Sequence, residues 1–378
     1  MPLNFESLPP LSLYIHIPWC VRKCPYCDFN SHEGDYDEET YVSALIRDLE
    51  SCLPKIWGRR ISSLFFGGGT PSLMSPHAIE KILAQARALL GIDPMIEVTM
   101  EANPGTFDRE KFGAFREAGV NRLSLGIQSF NDRHLGMLGR IHDAKQAALA
   151  VETALKQFRN VNLDLMYALP QQNLAEAESD FSMALSFDPP HVSAYHLTLE
   201  PNTFFHKHPP EIPDEDASFE MQCMIEEMLE KSYRHYETSA FAKEGMQCRH
   251  NLNYWEFGDY VGIGAGAHAK ISGPEGIVRQ MRFKNPKDYV AKAFSGNPVQ
   301  EEHEVSDIPF EFMMNALRLN EGFPLQLFEE RAGMSRVFIL PELDEAERLG
   351  YIGRDHLKVV PTLRGKRFLN DLLQIFLP

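Results

Sequence analysis

Tyr14-Ile-His-Ile-Pro-Trp-Cys20-Val-Arg-Lys-Cys24-Pro-Tyr-Cys27 places three cysteines at C-x3-C-x2-C spacing directly after a short apolar run. Three thiolates holding a [4Fe–4S] cube leave one of its four irons open to a further ligand. The spacing also admits zinc, because His32 follows closely enough to complete a Cys3His set. Soft thiolates suit either metal centre, so these residues alone leave both readings standing. The remainder of the chain must decide.

The chain has 378 residues, 44% of them hydrophobic, enough for one large domain with a smaller appendage. The N-terminus lacks a basic stretch followed by an apolar segment. No run reaches the ~18 apolar residues that a membrane span needs. The six cysteines are few for this length and three are crowded together, so a disulfide framework is not expected. A cytoplasmic location, where thiols stay reduced, fits. Cys52, Cys223 and Cys248 read as small buried apolar residues. A formal net charge of −16 speaks against nucleic acid as a partner, since phosphate contacts need clustered Lys and Arg.

Short β-rich runs alternate with longer amphipathic ones up to about residue 270, the signature of repeated βα units. Strands are expected at Ser12–Ile17, Ser63–Phe66, Glu97–Glu101, Arg122–Leu125, Asn160–Met166 and His191–Leu197. The helices between and after them are expected at Glu38–Cys52, Pro76–Leu90, Asp108–Ala118, Ala144–Phe158, Leu174–Ser186 and Glu215–Ser232. The fold class is therefore α/β, a partial (β/α)6-type parallel barrel, closed or partly open, with ligands at the C-terminal strand ends. Polar residues collect at those ends. Gly67-Gly68-Gly69-Thr70-Pro71 follows the second strand, where glycines let backbone approach a ligand and offer amide donors. Glu101 ends the third strand, free to cap a helix or to meet a sugar hydroxyl. Gln128 follows the fourth, Arg140 a short helix, and Asp164 interrupts an apolar strand, where burial demands a partner.

The runs YIHIPWCVRKCPYCDF, GGGTPS, EANPGT, RLSLGIQSF, LGRIH and NLDLMYALP occur in the order seen in radical S-adenosylmethionine (SAM) proteins of the oxygen-independent coproporphyrinogen III dehydrogenase family. The chain resembles that family over nearly its whole length. The resemblance implies a [4Fe–4S] cluster on Cys20, Cys24 and Cys27. It also implies SAM contacts from Tyr14, Tyr26, Gly68, Gly69, Thr70, Glu101, Gln128, Arg140 and Asp164. Gln128, Arg140 and Asp164 match positions that serve a second SAM in some members.

Two departures count against the dehydrogenase activity itself. The enzyme branch resembles C-x3-C-x2-C-x-C, whereas Phe29 stands at the fourth position here, and only nineteen residues precede Cys20. The string Cys248-Arg249-His250-Asn251-Leu252-Asn253-Tyr254-Trp255 instead resembles the haem-associated motif of the haem-chaperone branch. That resemblance implies a protein that binds haem near His250 and delivers it to haem-accepting apoproteins, respiratory enzymes at the membrane among them, and it admits a homodimer. SAM cleavage is within its implied chemistry, and the alternative that the wider family resemblance leaves open is the oxidative decarboxylation of coproporphyrinogen III. Arg249 is placed to pair with a propionate. The plainer alternative is that His250 and Asn251 satisfy backbone groups in a buried loop. His206 and His208 read as exposed loop residues beside Pro-Pro, and Met221, Met224 and Met228 as core filling on one helix face.

Residues 285–307 read as a linker between a domain at 1–284 and a C-terminal one at 308–378. The latter is expected to hold helices near Phe310–Leu319, Arg336–Leu349 and Thr362–Leu373, with short strands at Tyr351-Ile352 and Leu357–Val360, a small winged-helix-like arrangement. Nine Lys/Arg against eleven Asp/Glu in residues 306–378 give it no basic face for phosphate.

Overall fold

Alternate residues of a strand face opposite sides of a sheet, and here one side is almost wholly apolar. Leu123, Leu125 and Ile127 on one strand and Val161, Leu163 and Leu165 on the next are fully buried in the main core. The intervening Arg122, Ser124 and Gly126, and Asn162, Asp164 and Met166, line an interior cavity. One face is thus packed under helices, and the other encloses a polar space.

The computed structural model describes residues 3–106 and 109–377. Its barrel half runs β1 (Leu11–Ile17), α1 (Glu38–Ile56), β2 (Arg60–Gly68), α2 (Pro76–Leu89), β3 (Gly91–Ala102), α3 (Arg109–Ala118) and β4 (Arg122–Gln128). It continues through α4 (Asp132–Met137), α5 (Ala144–Gln157), β5 (Asn160–Tyr167), α6 (Leu174–Ser186) and β6 (His191–His196). The Asp108 start expected for the third helix lies outside the described residues. Helix starts follow local chemistry: Asp143 with Gln146 and Asn173 with Glu176 form capping boxes at α5 and α6, contributions of about 1 kcal/mol each.

Strands β1 to β6 pair in parallel, in chain order. Beyond β6 come α7 (Phe204–Lys207), α8 (Glu215–Glu230), the hairpin β7 (Arg234–Glu237) and β8 (Ala240–Ala242), then α9 (Arg249–Trp255) and β9 (Asp259–Ile263). β9 returns to the far edge of β1 and pairs with it in parallel. The meander β10 (His268–Gly273) and β11 (Gly276–Arg282) follows, then α10 (Pro286–Phe294) and β12 (Val299–Glu304). The twelve-stranded sheet runs from β12 at one edge to β7 at the other, and among the described residues those edges do not pair. The barrel is partly open.

Periodicity revealed neither the β7–β8 hairpin nor the strands β9 to β12. They are short, rich in Gly and charge, and antiparallel except for β9. The stretch 285–307, expected to be a linker, instead forms α10, which packs on α1, and edge strand β12, which pairs with β11. Its Pro and Glu content reflects an N-terminal helix proline and an edge strand turned to solvent.

The C-terminal unit comprises α11 (Ile308–Ala316), β13 (Phe323–Pro324), α12 (Leu325–Ala332), α13 (Leu340–Arg348), β14 (Ile352–Arg354), β15 (Lys358–Pro361), α14 (Leu363–Arg367) and α15 (Leu369–Gln374). Helices stand against a small sheet of order β13-β15-β14, as a winged-helix-like arrangement requires. The helix expected over Arg336–Leu349 is split: a 3-10 turn covers Arg336–Ile339, and Pro341 opens α13 in its first turn. Phe312 anchors this core, its ring edge-on to Phe257, Phe323 and Phe328.

Candidate functional site

The C-terminal ends of the parallel strands open on a cavity of about 680 Å3 that Cys20, Cys24 and Cys27 all reach. All three thiols are free and half-buried. Thr70 Oγ1 lies 3.5 Å from Cys20 Sγ, Arg140 Nη1 3.6 Å from Cys24 Sγ, and Ser31 Oγ 3.9 Å from Cys27 Sγ. Burial raises the Cys20 and Cys27 pKa values, while Thr70 and Ser31 pull against that rise at Cys20.

His32 does not join them. Its ring turns toward Asn30 Oδ1 at 3.3 Å and lines a neighbouring cavity. Among the described residues no three His, Cys, Asp or Glu side chains are gathered closely enough to hold one metal ion. Three thiolates set around a shared space match a cube, in which each binds a different iron, better than a tetrahedral zinc site.

The glycine loop is fastened to the cysteine loop. Gly69 N donates to Ile17 O at 2.7 Å and Thr70 N to Trp19 O at 2.8 Å, and Gly68 N donates to Glu101 Oε2 at 3.1 Å. The amide donors expected for a ligand are therefore already engaged; the glycines serve close approach. A Cβ on Gly69 would stand 2.5 Å from Trp19 O. Gly68, at φ +113°, would meet the His16 ring at 2.6 Å.

Glu101 caps no helix. Burial, then the charge of Asp164, pushes its carboxyl up to about 8. Asp164 has the partners its burial demands: Ser124 Oγ and Asn162 Nδ2, each donating at 2.8 Å. Its pKa is raised by burial in spite of them. Tyr14 and Tyr26 both line the cavity, as does Gln128, which adopts φ +70° at the end of β4. Arg140, placed by the turn after α4, donates through Nη2 to Gly126 O at 2.7 Å. Its Nε is buried without a partner. Sequence reasoning missed Arg122, Ser193 and Tyr195 on the same inner face, although the period-two rows on β4 and β6 carry that signal.

His250 lies on α9, 1% exposed, and not in a loop. Its Nδ1 meets Ser63 Oγ at 3.0 Å and its Nε2 meets Tyr254 Oη at 3.1 Å. Burial, then the charge of Arg122, lowers its pKa to about 3. Both nitrogens are thus engaged by side chains, Ser63 and Tyr254, and not by the backbone groups that the plainer reading expected. Glu97 caps the start of α9, accepting from the backbone amides of Arg249 and His250. Trp255 lies beneath the Arg318 guanidinium at 4.3 Å. His206 and His208 are exposed, Met221 is buried in the core, and Met224 and Met228 pack against it. Cys52 and Cys248 are buried, whereas Cys223 is half-buried beside Arg367.

A parallel barrel presenting three cysteines beside a glycine loop defines the radical SAM class, and residues 14–184 match the radical SAM superfamily model. Residues 305–368 match the HemN C-terminal domain. Proteins described as heme chaperone HemW are similar along their entire length. That of Escherichia coli is 46% identical over 98% of this chain and 99% of its own. The Haemophilus influenzae protein is 47% identical over the same shares. The Bacillus subtilis protein is 36% identical over 97% and 99%. The chain belongs to this HemW family of radical SAM proteins. The solved structure of Escherichia coli coproporphyrinogen III oxidase, HemN, superposes with TM-score 0.82 at 20% identity, covering 98% of this chain and 90% of that one. That likeness concerns the fold.

Proposed function

We propose that this protein is a haem chaperone: it holds haem beside a [4Fe–4S] cluster and SAM, and passes the haem to haem-requiring proteins. The observation that carries this reading is full-length similarity to heme chaperones at 46% identity, joined to a site whose donor set fits the cluster. Cys20, Cys24 and Cys27 would ligate three irons, and the cluster with SAM supplies one-electron reductive cleavage of a sulfonium C–S bond.

The chain's own residues do the placing. A SAM ammonium needs acceptors, so the Gly68–Thr70 loop would offer it carbonyl oxygens, its amides being engaged. Glu101 and Asp164 would accept from sugar hydroxyls, and Arg140 would face a carboxylate. Tyr14 and Tyr26 close the walls against water. Whether Gln128, Arg140 and Asp164 hold a second SAM is a question of stoichiometry, answered by equilibrium dialysis.

Haem would lie by α9, against the aromatic ring of Tyr254, which lines the cavities on both of its sides. Acceptors among respiratory proteins at the membrane, a cytoplasmic location and a homodimer belong to the same proposal. Among the described residues no helix is long and apolar enough to cross a membrane.

The test is anaerobic reconstitution followed by separate incubation with hemin and with coproporphyrinogen III. The expected result is a Soret band, transfer of haem to an apoprotein, and no decarboxylated porphyrin. Decarboxylation without haem binding would overturn the reading in favour of the dehydrogenase.

A further inference from the structure

Beneath the cysteine loop lies a second cavity, of about 500 Å3, which shares Tyr14, Asp28, Phe29 and Tyr254 with the first. Three histidines face it, and they are not equivalent. His16 has both ring nitrogens engaged, Nδ1 with Tyr14 Oη at 3.0 Å and Nε2 with Asn30 O at 2.8 Å. His32 is turned to Asn30. His268, the first residue of β10, is exposed and among the described residues makes no hydrogen bond through its ring.

On the reading that the protein carries haem, we propose that the haem sits in this second cavity with His268, and not His250, as its axial ligand, and with Lys23 and Lys284 meeting its propionates. An axial ligand must offer an imidazole nitrogen lone pair toward open space. His250 offers none unless the Tyr254 bond breaks, and it is almost without exposure. His268 needs no rearrangement.

The remaining lining suits an iron porphyrin. Tyr254 and Tyr260, edge-to-face at 4.5 Å, supply an aromatic wall. Among the described residues Lys284 Nζ makes no hydrogen bond, and Lys23 Nζ donates to the carbonyls of Phe29 and Ser31, at 3.1 and 3.3 Å. A propionate is a stronger acceptor than either carbonyl. Asp28 is the carboxylate in the lining, and it also borders the first cavity. One exposed ligand in an open cavity holds a cargo that must later be released.

The seat is also joined to the cluster. Asn30, three residues past Cys27, donates through Nδ2 to Ala265 O at 2.9 Å and to Lys284 O at 2.8 Å. The cysteine loop and the segments bearing His268 and Lys284 thus form one unit.

The test is hemin titration of the reconstituted full chain, comparing wild type with His268→Gly, His250→Gln and Lys284→Glu. His268→Gly is expected to shift the Soret band and weaken hemin binding about tenfold or more, and added imidazole should restore the wild-type band. Lys284→Glu should weaken binding without moving the band, and His250→Gln should leave its position unchanged. An unchanged band in His268→Gly, or loss of the band in His250→Gln alone, overturns the assignment and leaves the haem-carrier reading intact. Failure of the wild type to bind hemin overturns both.

Discussion

Glu101 shows how a single buried carboxyl reports on this site. An unfolded Glu releases its proton near its ordinary value of 4.5, whereas in the fold it holds the proton up to about 8. Between those values the native state binds more protons than the unfolded chain, so this group lowers stability as pH rises through that window. Glu101→Gln should therefore be more stable than wild type at pH 8 and nearly equal to it at pH 4, as read by urea unfolding of the cofactor-free protein. The thiols divide in the same way. Burial raises Cys248 to about 12 and Cys52 to about 11, so brief iodoacetamide treatment of cofactor-free protein should modify the three loop cysteines and spare these two, as mass spectrometry would show. Arg140 sets the electrostatics beside Cys24. Replacing it with Met removes a cation and an N–H donor near a cluster ligand, and should lower the midpoint potential of the reconstituted cluster in an EPR redox titration. The three cysteines, Glu101, Arg140 and Asp164 were legible because each carries a local signal: a spacing, a strand end, a charge inside an apolar run. The engagement of His250 was not, since Ser63 lies 187 residues away in the chain.

At the scale of elements, the join between the glycine loop and the end of β1 governs the shape of the cysteine loop. Gly69→Ala would drive a methyl group into the Trp19 carbonyl, within a backbone pair that also aligns Cys20. It should abolish the brown chromophore after reconstitution while leaving far-UV circular dichroism close to wild type. Gly68→Ala should share the defect, because it adds a positive-φ penalty to the clash with His16. The six βα units were readable because apolar periods of 2 and 3.6 alternate cleanly and capping residues mark the helix starts. β12 was not, because five of its six residues are exposed and its identity as a strand comes wholly from hydrogen bonds to β11. Edge strands of this kind carry little hydrophobic pattern to read.

At the scale of the molecule, the C-terminal unit and the barrel share a hydrophobic core. Phe257 and Ile277 of the barrel half pack with Phe312, Phe323 and Phe328 of the appendage. Phe312→Ala should cost about 3–5 kcal/mol and, because the core is shared, should shift the denaturation midpoint of the whole protein without producing a separate early transition. The winged-helix-like character could be read from the order of its helices and strands, but its union with the barrel depends on residues some fifty positions apart and could not. The tether through Asn30 has a further consequence for biogenesis. Its two acceptors lie 235 and 254 residues downstream, and β1 itself pairs with β9. The sulfur-bearing loop cannot take its final shape until Lys284 has emerged from the ribosome. Iron and sulfide meet that finished loop only in a polypeptide that has already joined its first strand to its ninth.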